Sequence, residues 1–100
     1  MIVKVHKGAD GKKVIAVCDT DIAGRRFEEG ELQLDLGSPF YNGEEMAEEK
    51  LENELKGPCS VNITGEESVK FFTDRKLVDE KNIIRIKGIP HAQCMLMKED

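Results

Sequence analysis

His91 follows Pro90 in the block Gly88-Ile89-Pro90-His91-Ala92-Gln93, and His6 is the only other histidine in the chain. Imidazole is the side chain whose ordinary pKa lies nearest neutrality. A histidine held by a stiff proline therefore reads as a candidate general base or ligand contact. The alternative is a turn histidine that bonds local backbone. Cys18-Asp19 closes an apolar run and could present a thiolate beside a carboxylate, and Cys59 stands beside Pro58. A catalytic cysteine also needs a base and surroundings that lower its pKa. The sequence displays neither, so catalytic residues stay unknown. His6, Cys18, Cys94 and His91 lack the close C-x-x-C or H-x-x-x-H pairs of zinc sites, so no metal is expected. No cofactor is expected either: Gly8-Ala9-Asp10-Gly11 and Gly24-Arg25-Arg26 have neither the Walker nor the dinucleotide glycine spacing. The neighbouring acids Glu28-Glu29, Glu44-Glu45 and Glu48-Glu49 read as solvated faces, since two-carboxylate catalysis requires a set separation across a cleft.

The cations form the more informative constellation. Lys4 and His6 share one strand face, as do Arg85 and Lys87, because strand side chains alternate with period two. If the first and last strands are neighbours near the centre of one sheet, these groups merge into a basic patch. Lys4, Arg25, Arg26, Arg85 and Lys87 would lead it, with His91 and Gln93 at its edge. Such a patch would attract phosphate backbone. Aromatic side chains for base stacking are scarce, with four Phe, one Tyr and no Trp. Contact would then be to phosphates, to a ribonucleoprotein or to a protein partner rather than to stacked bases. The plain alternative is an ordinary solvated sheet face.

Charge is unevenly distributed. Residues 1–26 carry six bases against three acids, a net +3; residues 27–56 carry two bases against ten acids, a net −8; residues 57–100 are balanced at seven each. The overall −5 does not fit a wholly basic nucleic-acid binder. Charged residues make up 35% of the chain, above the usual share of about 25%, a composition sometimes met in proteins from hot or salty cells. One hundred residues suit one domain, residues 1–100. No apolar run approaches the length of a bilayer span, so no membrane association is expected. Met1-Ile2-Val3-Lys4-Val5-His6 reads as a strand rather than a signal peptide. Three scattered cysteines argue against a disulfide framework and for a reducing cytoplasm.

The elements that must position these residues follow from periodicity. Residues 2–6 and 14–18 read as a hairpin about the Asp10-Gly11 turn. Asp19–Gly24 reads as one capped helical turn, and Glu31–Leu36 as a half-buried strand with Leu32, Leu34 and Leu36 inward. Glu44–Lys56 reads as a helix capped by Asn42, with Ala47, Leu51 and Leu55 as its buried stripe. Cys59–Ile63 fits a strand or a helical turn. Thr64-Gly65-Glu66-Glu67 has capping-box spacing and opens a helix toward Leu77. Residues 83–97 read as two strands about a bend that Gly88 and Pro90 mark, with His91 at the bend. The resulting class is α+β: a single mixed or mainly antiparallel sheet of about five strands, with two helices packed on one face.

Four blocks, Val14–Asp19, Phe27–Leu32, Val61–Glu66 and Ile86–Gln93, resemble the signature blocks of a small archaeal domain-of-unknown-function family. The G-x-P-H-A-Q block is the most specific of them. The resemblance spans almost the whole chain and implies an archaeal cytosolic protein. It implies no activity and supplies no functional residues. The leading expectation is a non-catalytic binding or accessory module for RNA–protein machinery or a protein partner. The alternatives are a small enzyme using His91, aided by Cys18 or Asp19, and a homo-oligomeric subunit joined through Met95, Met97, Phe40 and Tyr41.

Overall fold

The structure, a computed structural model, describes residues 1–97. Eight strands and two helices follow one another as β1 Ile2–Lys7, β2 Lys13–Cys18, β3 Arg26–Glu29, β4 Leu32–Asp35, β5 Glu44–Glu45, α1 Glu48–Glu54, β6 Cys59–Thr64, α2 Glu66–Asp74, β7 Ile84–Ile86 and β8 Ile89–Leu96. Six strands form the main sheet in the order β5-β1-β2-β6-β8-β7, and β3 with β4 forms a separate hairpin. The class is α+β, with six strands in the sheet rather than about five. Only β2 and β6 pair in parallel.

Register sets the two faces. Val3, Ile15, Val61 or Ile63, and Ala92 lie on the face that Leu51 of α1 and Phe72 of α2 cover, in one apolar cluster. Ala16 and Cys18 point the other way, toward Ile22, Leu36 and Tyr41. Both helices thus lie on one side, and the β3–β4 hairpin with the turn at Pro39–Tyr41 lies on the other.

Several elements depart from the sequence expectations for identifiable reasons. The strand at Glu31–Leu36 belongs to the hairpin, where Leu34 is buried but Leu32 is 49% exposed. The first helix starts at Glu48 because Glu44 and Glu45 pair with β1, and Glu45 meets the N-terminal ammonium. Ala47 is therefore the exposed N-cap rather than part of the buried stripe. Cys59–Thr64 resolves to a strand, and Thr64 ends it rather than capping α2. Pro90 lies inside β8, and the turn is Lys87-Gly88, both at positive φ. The proline costs no ladder bond there. Its carbonyl accepts from Gly65 N (2.9 Å), while the Gly65 carbonyl that a Pro90 N–H would have used already accepts from Val69 N.

The cap of α2 comes from far away in the chain. The Asp19 carboxylate accepts from Ser68 N (2.7 Å) and Glu67 N (3.0 Å), satisfying two of the free amides that open the helix. Gly65 sits at φ 112°, and a Cβ there would stand 2.5 Å from both carboxylate oxygens. Asp19→Ala should cost about 1–3 kcal/mol in urea unfolding, and Gly65→Ala a similar amount from strain and clash. Because the clash vanishes with the carboxylate, the double variant should be less destabilised than the two singles added together, by about 1 kcal/mol; strict additivity would refute the contact. Ser68 Oγ is buried without a partner, so Ser68→Ala should leave stability unchanged within about 0.5 kcal/mol or raise it.

Candidate functional site

Two regions hold the residues of interest. The first is the end of the sheet where the parallel strands β2 and β6 finish side by side. Cys18 pairs with Thr64, and Thr64 with His91 on β8, so the three side chains share the hairpin-covered face. Thr64 Oγ1 lies 2.8 Å from His91 Nδ1 and 3.2 Å from the Tyr41 hydroxyl. One order of donors satisfies all three groups: Tyr41 donates to Thr64, Thr64 donates to Nδ1, and Nε2 carries the imidazole proton. A proton on Nδ1 would reverse both bonds and leave the tyrosine hydrogen without an acceptor in the chain. Burial pushes the His91 pKa below its usual value, which acts in the same sense.

His91 therefore stands inside β8, half-buried and bonded to a side chain, rather than at a loop tip. The walls of five surface clefts, drawn from residues between 2 and 97, do not include His91. Cys18 is fully buried, and burial, reinforced by the Asp19 carboxylate, pushes its thiol to about 11. Cys94 is likewise pushed to about 11, chiefly by burial. Neither provides a thiolate at neutral pH. Asp19 is committed to the α2 amides. Among the described residues no three His, Cys, Asp or Glu gather where they could hold a metal ion, and no helix is long and apolar enough to cross a membrane.

The second region is the set of cations, which the fold disperses. The first strand neighbours neither of the closing pair: β2 and β6 separate β1 from β8, and β2, β6 and β8 separate it from β7. Four strand spacings put Lys4 and Arg85 about 19 Å apart. They also point to opposite faces, since Lys4 pairs with Ala16 on the hairpin side and Arg85 with Pro90 on the helix side. The single basic patch does not form. Arg85 is bonded to Glu66 (2.9 Å) and to the Gly88 carbonyl (3.1 Å). Arg26 is ion-paired to Glu28, and Arg25 lies 5.0 Å over the Phe27 ring. Lys87 N donates to Glu29 Oε1 (2.6 Å), tying the β7–β8 turn to the hairpin. Only Lys4 and Gln93 fall in one cross-strand row, Lys4-Ala16-Asn62-Gln93. The aromatics offer no stacking platform either. Tyr41, Phe71 and Phe72 are buried, His6 stacks on Phe40, and Arg25 covers Phe27.

Sequence reasoning gave Thr64 to a helix cap and Tyr41 to an exposed oligomer surface; Tyr41 is instead buried, and both belong to the chain of bonds that ends at His91. The available signal was that Cys18-Asp19 and Thr64-Gly65 each follow an apolar run and so mark two strand ends. What was missing was that these ends lie side by side.

The unfolded histidine titrates near pH 6.5, and native His91 below it. As pH falls through 6.5 the unfolded chain takes up its proton first, so the contribution of His91 is complete above that pH and is lost below it. Urea midpoints should fall between pH 7 and 5.5, and His91→Asn should flatten that slope. Equal slopes in the two proteins would contradict the burial of His91 in its neutral form.

Comparison with known proteins bears on the fold and the family. A crystal structure of an uncharacterized conserved protein from Methanopyrus kandleri superposes with a TM-score of 0.76, at 24% identity, covering 99% of this chain and 93% of that one. At that identity the likeness speaks for the fold. No curated protein matches the chain. A family model described as a protein of unknown function (DUF424) matches residues 6–97, nearly the entire sequence. The chain belongs to this DUF424 family of proteins of unknown function.

Proposed function

We propose that this protein is a non-catalytic binding module whose ligand is a protein partner, and that the partner lays an extended segment along the free edge of β8. One observation carries the reading. The bond from Gly65 N to Pro90 O turns the Pro90 carbonyl toward β6. By the alternation of an antiparallel ladder, His91, Gln93 and Met95 then direct their N–H and C=O groups away from β6. His91 meets Ile84 of β7, but β7 ends there, so among the described residues Gln93 and Met95 have no strand on that edge.

The composition of that edge supports the same reading. Ala92-Gln93-Cys94-Met95-Leu96 carries no charge and no proline, and Met95 is 70% exposed. Exposed edges are usually blunted by lysines, bulges or a covering segment. The opposite edge has those protections: β1 carries Lys4 and Lys7, β5 pairs with its first half, and Phe40 packs on His6. An unblunted edge suits strand addition, in which backbone bonds give affinity and alternating side chains give selectivity. Lys4, Asn62 and Gln93 on the adjoining uncovered face would contact the same partner. Arg25, Arg26, Arg85, Lys87 and His91 lie outside this surface. The dispersal of those cations favours a protein partner over phosphate backbone, so the RNA–protein setting enters only through a protein component. The composition and the Methanopyrus neighbour fit an archaeal, cytoplasmic setting.

Gln93→Pro tests this directly, because the amide it removes serves no internal bond and proline is tolerated where the N–H faces outward. Immobilised wild-type protein should retain a protein from native extract after nuclease treatment. Gln93→Pro should retain at least ten-fold less, with an unchanged thermal midpoint. Retention that nuclease abolishes, or that the proline leaves intact, would overturn the proposal. Wild-type self-association that Gln93→Pro reverses would overturn the choice of partner and make the occupant a second copy.

A further inference from the structure

Beyond the free edge, the end of the sheet opposite Asp19 holds a cleft of about 410 Å³. Four strand ends meet there: the last residues of β1 and β8 and the first of β2 and β6. Its apolar lining comes from Val14, Pro58, Met95, Leu96 and Met97. Its volume falls in the range of small-molecule sites, which are mostly apolar with a few placed polar groups.

The rim over one side is cationic. Lys7, Lys12 and Lys13 line the cleft, and Asp10 is the single acid among the lining residues. Lys13 is held by the carbonyl and carboxylate of Glu54 at the end of α1. Lys7 and Lys12 form no ion pair among the described residues. The Asp10 carboxylate is turned into its own loop, where it accepts from Lys12 N (3.1 Å). In a chain of net charge −5, two unpaired ammonium groups beside an apolar lining are a local reversal of sign. The wall side chains Met95 and Met97, 70% and 73% exposed, are unbranched and adapt to irregular apolar surfaces.

We infer that this cleft binds an amphipathic carboxylate: an apolar body over Val14, Pro58 and Met95, with its anionic head against Lys7 and Lys12. The same chemistry is presented by a free alkyl carboxylate and by a polypeptide C-terminus that ends in a large apolar residue. Opposite charge draws the head to the lysines, and the gain weakens with salt because the rim is exposed. The apolar body supplies the larger share, through area removed from water.

The test uses the full chain with methyl-labelled methionine, titrated with octanoate, octanol, and a short peptide ending in Leu-Phe as either free acid or amide. Saturable shifts of the Met95 methyl with octanoate are expected, with octanol at least ten-fold weaker. The Lys7→Ala/Lys12→Ala variant should lose about ten-fold for octanoate and nothing for octanol. Binding of the acid peptide but not of octanoate or the amide peptide would also support the inference, and would assign the source to a chain terminus. Absence of saturable binding by both acids, or equal affinity for acid and neutral forms, would overturn it. Gln93→Pro should leave octanoate binding unchanged, so failure here is separable from failure of the strand-addition reading.

Discussion

The fold depends on a carboxylate placed where three layers of structure meet. Asp19 follows the last residue of β2, and its own N–H donates to the Thr64 carbonyl on β6 (3.1 Å). Its two side-chain oxygens then take the first free amides of α2. Burying a carboxylate is expensive unless it is fully hydrogen-bonded. Here two charge-assisted bonds and the positive end of the helix dipole offset that cost. The arrangement requires residue 65 to be glycine, because the carboxylate occupies the place of a side chain. Gly65 in turn bonds Pro90 and brings in β8. One residue thereby sets where α2 lies on the sheet, how β6 meets β8, and where Thr64 and His91 come together.

What could be read from the sequence was whatever is local. Period-two alternation marks β1 and β4, unbroken apolar runs mark β2 and the closing pair, and the Asp10-Gly11 turn joins β1 to β2. The apolar spacing of Val69 and Phe72 marks the buried side of α2. What could not be read depends on pairing across the chain. Asn42 and Glu45 have capping-box spacing, yet the pairing of Glu44 and Glu45 with β1 competes for the same residues and prevails. Thr64 and Glu67 show the same spacing, yet the cap is Asp19, 49 residues from Ser68. Strand order decided the fate of the cationic patch. Nothing local in Lys4 or Arg85 records that three strands lie between them, or that Arg85 faces the helix layer.

The two faces of the sheet are covered unequally. The helix side is continuous, from Leu51 over Val61 and Ile63 to Phe72. The other side is covered at one end only, by Ile22, Leu36 and Tyr41 over Ala16 and Cys18. Beyond that end the cross-strand rows run on through Asn62 and Gln93, Ser60 and Met95, with Lys4 on β1, and these residues stand outside that cluster. Their mixture of amide, hydroxyl, ammonium and thioether groups is that of a solvated or contacted surface, and it explains how Ser60 and Asn62 can stand in a central strand without destabilising a core.

The same inequality runs along β8. Its first half is enclosed by β6 on one edge and β7 on the other, with Gly65 bonded to Pro90 and Thr64 to His91. Its second half pairs on one side alone and ends at the cleft beneath Met95. Local opening free energies are lowest where a strand has one paired edge and few buried apolar contacts. A surface that must accept another molecule is better placed there than beside the Asp19 cap, where rearrangement would expose a buried carboxylate. The charge layout follows the same division. The acids of residues 27–56 belong to the hairpin, β5 and α1, whereas Lys7 ends β1 and Lys12 lies in the β1–β2 loop at the open end. Ligands carrying negative charge are therefore repelled from much of the molecule and attracted at that end, next to the half of β8 that β6 pairs on one edge only among the described residues.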